Sequence, residues 1–212
     1  MVFLAAYGAA VVWPQPTAYY RLPGKIGAYT TSGTVVNPSL ISVSNPTSIA
    51  VSGSNLFVEN GATGVISEYT TSGALVNASL VTGVFGPGIA VSGSELFVTN
   101  YGHGTVGEYA LGDIPGTVTS SNPALISGLD FPCGIAVSGS DLFVTSGDYS
   151  SRSPATGEYR TSGATVNAAL IPGWDQYGVA VVGTAVPEPA TIGILGLGAT
   201  VLMGRRRRRI HA

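Results

Sequence analysis

Residues 49–58 have the sequence Ile-Ala-Val-Ser-Gly-Ser-Asn-Leu-Phe-Val, and close copies begin at Ile89 and Ile135. A decayed copy begins at Val179, so the four starts are 40, 46 and 44 residues apart. Short apolar runs rich in β-branched and aromatic side chains, separated by Ser-Gly turns, predict β-strands and no helical period. This internal repeat therefore decides the fold.

Each full copy continues in the same order. A glycine-rich loop is followed by Glu-Tyr at Glu68, Glu108 and Glu158, and a further segment begins at Asn77, Asn122 and Asn167. Four strands in a period of 40 to 46 residues are typical of a propeller blade. The sequence thus predicts an all-β, β-propeller-like array of four-stranded repeats over residues 1–184, followed by a C-terminal transmembrane helix.

The Gly-Ile-Ala-Val, Leu-Phe-Val and Glu-Tyr pattern resembles the NHL-type β-propeller repeat. The acidic residue that often follows the first strand in that family is replaced here by Ser52, Ser92 and Ser138. The resemblance therefore implies the fold and not the chemistry.

The start of the chain also aligns with the repeat. Residues 2–8 align with 96–102, and residues 26–33 align with 106–113. We therefore expect the chain to begin at the second strand of a blade whose first strand is supplied by the copy at Val179, with residues 9–24 as an irregular insertion. This count gives about four blades, either as a closed ring or as a truncated part of a larger array.

The C-terminal region, residues 185–212, has three parts in a fixed order. A short box is followed by an apolar run over residues 190–204 and then by a basic cluster. The box is Val186, Pro187, Glu188 and Pro189, and the cluster is Arg205, Arg206, Arg207, Arg208 and Arg209. Fifteen helical residues span about 22 Å, short of a hydrocarbon core of about 30 Å. Arginines cross a bilayer at high cost, so we expect the cluster to stay cytoplasmic and the body to lie outside.

These three parts resemble the PEP-CTERM sorting signal of bacteria. The resemblance implies that an exosortase in the inner membrane recognises the box, cleaves near it and releases the protein to the cell surface or extracellular matrix. The alternative is a membrane anchor that is never cleaved. Residues 1–13 make a poor signal peptide because no Lys or Arg precedes the apolar run, which suggests a truncated or degenerate copy.

Charge argues against nucleic acid as a partner. Residues 1–186 contain four basic and ten acidic residues, a formal net charge of −6. A phosphate backbone would repel such a body. The chain is only 9% charged and contains 30 Gly and many Ser and Thr, so its surface has few charges and many hydroxyl groups. Such a surface suits an exported protein.

Candidate catalytic groups are sparse, and we predict neither an enzyme nor a cofactor. Cys133 is expected to be a small buried residue, and His103 a solvated loop residue. A calcium-dependent lactonase-type propeller is the alternative, but Asn45, Asp130 and Asp175 offer few ligands for a cation that takes six to eight oxygens. A second alternative is a non-functional repeat remnant.

The recurrent Glu-Tyr pairs are expected to be structural, with the tyrosine between sheets and the glutamate facing water or paired across a strand. The loops at 59–65, 99–105 and 145–157 are predicted to bind a polysaccharide or a surface protein. In them, Tyr101 and Tyr149 are the candidate contacts, because aromatic rings stack on sugar faces.

Overall fold

The computed structural model describes residues 9–11, 17–147, 154–173 and 178–180. These residues form sixteen β-strands in four antiparallel four-stranded sheets, each called a blade here. Blade 1 contains β1 (Ala9–Val11), β2 (Thr17–Leu22), β3 (Lys25–Thr30) and β4 (Val35–Ser42), and blade 2 contains β5 (Pro46–Ser52), β6 (Asn55–Asn60), β7 (Val65–Thr70) and β8 (Leu75–Thr82). Blade 3 contains β9 (Ile89–Ser92), β10 (Glu95–Asn100), β11 (Thr105–Leu111) and β12 (Val118–Ile126), and blade 4 contains β13 (Pro132–Ser138), β14 (Asp141–Ser146), β15 (Ala155–Arg160) and β16 (Thr165–Pro172).

The strands of each blade follow chain order across the sheet. The pairing register also repeats, because Leu56, Leu96 and Leu142 of the second strands lie opposite the tyrosines of the Glu-Tyr pairs in the third strands. The prediction of an all-β, propeller-like array of four-stranded repeats is confirmed.

The prediction for the first blade is wrong. Residues 17–22, expected within an irregular insertion, form β2 and pair with β3 in the register that β10 and β11 adopt. The second strand of blade 1 is therefore not residues 2–8. Its first strand is β1, so the sheet needs no strand from the copy at Val179, and the described residues 178–180 form no strand.

The blades pack through their faces, and the first strands lie innermost. β5 contacts β1, β2 and β9, and β13 contacts β9 and β10. Three apolar clusters fill the junctions between successive blades. Phe57 and Val81 of blade 2 pack against Leu96 and Val98 of blade 3 in one of them. Equivalent clusters join blade 1 to blade 2 and blade 3 to blade 4.

No cluster of the described residues joins blade 4 to blade 1. Leu170 in β16 is 40% exposed, whereas Leu80, at the matching position of blade 2, is buried. Within the described part of the chain the blades thus form an open arc. Among the described residues the arc does not close into a ring.

The described residues include no helix long and apolar enough to span a membrane. The predicted membrane segment, residues 190–204, lies outside them, as do the box and the arginine cluster.

Candidate functional site

The turns between second and third strands and the connections between blades lie on the same side of the arc, which is called the loop end here. Each connection is hydrogen-bonded to the turns on both sides of it. Val84 N donates to Gly64 O of blade 2, and Tyr101 N of blade 3 donates to Phe85 O. The same pattern recurs in the connections at 43–45 and 129–130. The loop end is therefore held by backbone bonds across all four blades.

Three aromatic side chains lie in succession on this end. The ring of Phe85, 47% exposed, lies over Gly64, where a Cβ atom would be 2.5 Å from the ring. Phe85 is joined to Tyr101 by the backbone hydrogen bond. The ring of Tyr101 lies 4.7 Å from that of Phe131, centroid to centroid, with the planes tilted by 34°. We call Phe85, Tyr101 and Phe131 the aromatic row.

Phe131 is held in an unusual backbone conformation. Its φ of 51° lies in the left-handed region, and it is the one such non-glycine residue among the described residues. A bulky residue adopts this conformation at a cost of roughly 1–2 kcal/mol, which its surroundings must offset. Strain of this kind concentrates at functional sites. The strained residue is thus the one whose ring contacts Tyr101.

Polar groups flank the aromatic row. Asp130 and His103 are exposed, and His103 Nδ1 lies 3.1 Å from Asn100 Oδ1. Asn100 Nδ2 also donates to Gly83 O at 3.2 Å. The expectation that His103 is an exposed loop residue is confirmed. Rings combined with amide and carboxylate groups can bind a ligand that has both apolar faces and hydroxyl groups.

The structure places Tyr101 at the loop end, in contact with the ring of Phe131, and its role as a ligand contact stays a prediction. Tyr149 lies outside the described residues, so its role stays a prediction. The sequence did not single out Phe85 or Phe131. Their position in the connections that lead into the first strands of blades 3 and 4 was the available signal.

A second set of side chains joins the blades at the end of each second strand. Arg21, Glu59 and Thr99 occupy the same register position and hydrogen-bond to the backbone of the following blade or its connection. Arg21 Nη1 donates to Pro46 O at 3.1 Å, and Thr99 Oγ1 donates to Cys133 O at 3.0 Å. We call these three the bridging residues. The fourth, Thr145, instead accepts from Gly134 N of its own blade at 2.7 Å.

Glu59 is the most unusual bridging residue because it is a fully buried carboxyl group. Its Oε1 accepts a hydrogen bond from Gly86 N at 2.9 Å, and its Oε2 is buried without a hydrogen-bond partner. Burial raises the pKa of Glu59 to about 7, and the Gly86 hydrogen bond offsets only part of that effect. The protonated, neutral form therefore suits this site.

The recurrent glutamates only partly follow the prediction. Tyr109 and Tyr159 are buried between sheets, as expected. Glu68, however, does not face water. It is buried, its Oε2 accepts a hydrogen bond from Gly116 N of blade 3 at 2.8 Å, and burial raises its pKa.

The oxygen ligands considered for the lactonase-type alternative lie only partly within the described residues. Asn45 and Asp130 precede the first strands of blades 2 and 4, and Asp175 lies outside the described residues. No group of three His, Cys, Asp or Glu side chains among the described residues is placed to hold a metal ion. Cys133 is buried, as expected.

Similar folds occur in several solved structures. The calcium-binding protein regucalcin from Agrobacterium tumefaciens is 14% identical, with a TM-score of 0.56 over 82% of this chain and 63% of that one. A gluconolactonase from Xanthomonas campestris is 13% identical, with a TM-score of 0.56 over 79% and 66% of the two chains. Hydrazine synthase from Kuenenia stuttgartiensis is 18% identical, with a TM-score of 0.59 over 74% and 46%.

At these identities the similarity shows the fold alone. The chain spans less than two thirds of the length of regucalcin and of hydrazine synthase. A comparison with curated proteins finds no match.

The sheets, their register and these similarities define a β-propeller-like repeat protein. Residues 185–209 match the PEP-CTERM protein-sorting motif. The chain thus carries the signal that an exosortase recognises, and this signal implies export through the membrane to the cell surface.

Proposed function

We propose that the body is a non-catalytic binding module of a surface or extracellular-matrix protein, and that its loop end binds an extracellular polysaccharide. The observation that carries this proposal is the aromatic row at a loop end fixed by backbone hydrogen bonds. Sugar rings present apolar faces to aromatic side chains and hydroxyl groups to amides and carboxylates. A site ordered before binding loses little conformational entropy when it binds.

The tail would serve delivery in this proposal. Residues 190–204 would hold the chain in the inner membrane, with Arg205 to Arg209 in the cytoplasm and the body outside. Cleavage at or near Val186 to Pro189 would then free the body. A segment that spans only about 22 Å suits a temporary anchor.

The test is binding of the full chain to the host's purified extracellular polysaccharide, immobilised, with both candidate tyrosines changed. Tyr101→Ala combined with Tyr149→Ala is expected to weaken binding at least tenfold, equivalent to about 1.4 kcal/mol. The matched control is Ile114→Ala, which removes an exposed apolar side chain in the loop between β11 and β12. Thermal unfolding of each variant establishes that it is folded.

Unchanged binding in the double variant would contradict the proposal. Binding of a surface protein in place of the polysaccharide, with the same dependence on Tyr101, would keep the site and replace the ligand.

The non-catalytic role has its own test, since regucalcin and gluconolactonase share the fold. A bound ion would stabilise the folded state by mass action and raise the unfolding temperature. Since we propose no calcium site, we expect 1 mM CaCl₂ to leave the unfolding temperature of the body unchanged. A calcium-dependent rise would favour the lactonase-type alternative. Failure of the body to unfold cooperatively would favour the repeat remnant.

A further inference from the structure

The two ends of the arc carry the two halves of a junction that the chain already forms three times. In each junction, one face of a blade packs against the opposite face of the next blade. We call these the leading face and the trailing face. Among the described residues, the leading face of blade 4 and the trailing face of blade 1 have no neighbouring blade.

The leading face of blade 4 retains the side chains of a junction. Phe57 and Phe97 are 1% exposed in blades 2 and 3, where they pack against the next blade. Phe143 occupies the same position in blade 4 and is only half-buried. Leu125 packs in the junction between blades 3 and 4, whereas Leu170 is 40% exposed. This face is thus built for a blade that the described residues do not supply.

The trailing face of blade 1 is the matching half. In blades 2 and 3 the position opposite Ser67 and Gly107 is occupied by Val58 and Val98, each 1% exposed. In blade 1 that position is Tyr20, which is 38% exposed and forms an edge-to-face pair with Tyr29 at 5.3 Å. An aromatic pair supplies apolar area for an interface.

One contact shows how the two halves fit. A Cβ atom at Gly73 of blade 2 would lie 2.7 Å from Leu40 O and 3.0 Å from Leu40 Cδ1 of blade 1. Gly163 of blade 4 meets Leu125 of blade 3 in the same way, at 2.6 and 3.2 Å. Gly33, the equivalent glycine of blade 1, has no atom within 4 Å of that position among the described residues. Leu40 and Leu125 thus have a glycine partner in the next blade, whereas among the described residues neither Leu170 nor Gly33 has a partner of this kind.

We infer that the leading face of blade 4 binds the trailing face of blade 1 in a second copy of the same chain, head to tail. The partner is a second copy because the interface continues a junction that this sequence encodes three times. Blade 1 already has its four strands, so it needs no strand from residues 178–180. A head-to-tail contact generates a ring when its rotation closes and a fibre when it does not.

The first test is the mass of the full chain in detergent, measured by light scattering. Assemblies of two or more 21.4 kDa chains are expected at micromolar concentration. Leu170→Asp should convert them to single chains, since it places a charge in an apolar interface. Leu75→Asp is the matched control, because Leu75 is an exposed leucine of blade 2. Association that survives Leu170→Asp would arise elsewhere, for example in the tail, and would overturn the inference.

The second test identifies what covers the leading face of blade 4. It measures disulfide formation between the variants Leu170→Cys and Ser32→Cys, since Ser32 is the residue before Gly33. Mixing the two single variants should give a disulfide-linked heterodimer, with Ser120→Cys in place of Leu170→Cys as the negative control. The native cysteine, Cys133, is buried and is common to all variants. A disulfide within one chain of the double variant would show that the arc closes on itself. That result, or the absence of any disulfide, would overturn the inference.

Discussion

Glu59 Oε1 accepts a hydrogen bond from Gly86 N at 2.9 Å across the boundary between blades 2 and 3, while its second carboxyl oxygen is buried without a partner. Gly86 itself has no room for a side chain, because a Cβ atom there would lie 2.1 Å from Thr99 O. The contact thus joins a carboxyl group to a closely packed backbone. Since burial disfavours its charged form, the junction should respond to pH.

The body should lose stability as pH rises through the titration of Glu59. The folded-state pKa, about 7, lies above the ordinary value of 4.5, so the folded state holds the proton more tightly. Stability is fully present below about pH 4.5 and falls as pH rises through 7, by about 3 kcal/mol for a shift of this size. Glu59→Gln keeps an acceptor for Gly86 N and carries no charge, so it should remove this part of the decline.

The measurement is the free energy of unfolding of wild type and Glu59→Gln in urea at pH 5 and pH 8. The variant should be the more stable of the two at pH 8. Glu68 is unchanged in both proteins, so its own raised pKa cancels in the comparison. Parallel pH profiles would show that Glu59 is not buried as described.

Phenylalanines at equivalent positions of different blades should contribute differently to the free energy of unfolding. Phe97→Ala removes a ring packed between blades 3 and 4 and should cost about 3–5 kcal/mol in unfolding free energy. Phe143→Ala removes the equivalent, half-buried ring from the leading face of blade 4. In dilute protein it should cost less than half as much unfolding free energy as Phe97→Ala. Urea unfolding of both variants checks this. Equal costs would mean that another part of the molecule covers the leading face of blade 4.

The Ser-Gly turns should depend on glycine for its backbone conformation. Gly53 has a φ of 56° and no neighbour within 4 Å of a Cβ position, so Gly53→Ala meets conformational strain without a clash. It should cost about 1 kcal/mol. Gly102 is equally open but is not among the positive-φ residues, so Gly102→Ala should be close to neutral. Thermal unfolding of the two variants measures the difference, and equal shifts in melting temperature would contradict it.

Most of the fold could be predicted because the sequence repeats the same strand pattern in three blades. Ile-Ala-Val-Ser-Gly-Ser marks the first hairpin of three blades, and a pattern that recurs in register outweighs the ambiguity of any single strand. Blade 1 was misassigned because β2, residues 17–22, lacks the Leu-Phe-Val pattern. The Pro-Gly turn at 23–24, between residues 17–22 and Lys25, was the signal that could have located it.

The site could be predicted only in part. Tyr101 was singled out because it lies in a recurring loop, and its role as a ligand contact stays a prediction. Phe131 was not, since its importance rests on a positive φ and on a ring contact with Tyr101, which depend on tertiary structure. Glu59 was missed for a similar reason. Its burial follows from the approach of the next blade, which no local pattern records.

The most direct test of the account is mass spectrometry of the C-terminus of the protein recovered from its host, fractionated into membrane, cell surface and medium. We expect a mature chain that ends near Val186 to Pro189 and lies outside the membrane fraction. A membrane-bound protein that retains Arg205 to Arg209 would show that the tail is a permanent anchor, and would contradict sorting by an exosortase.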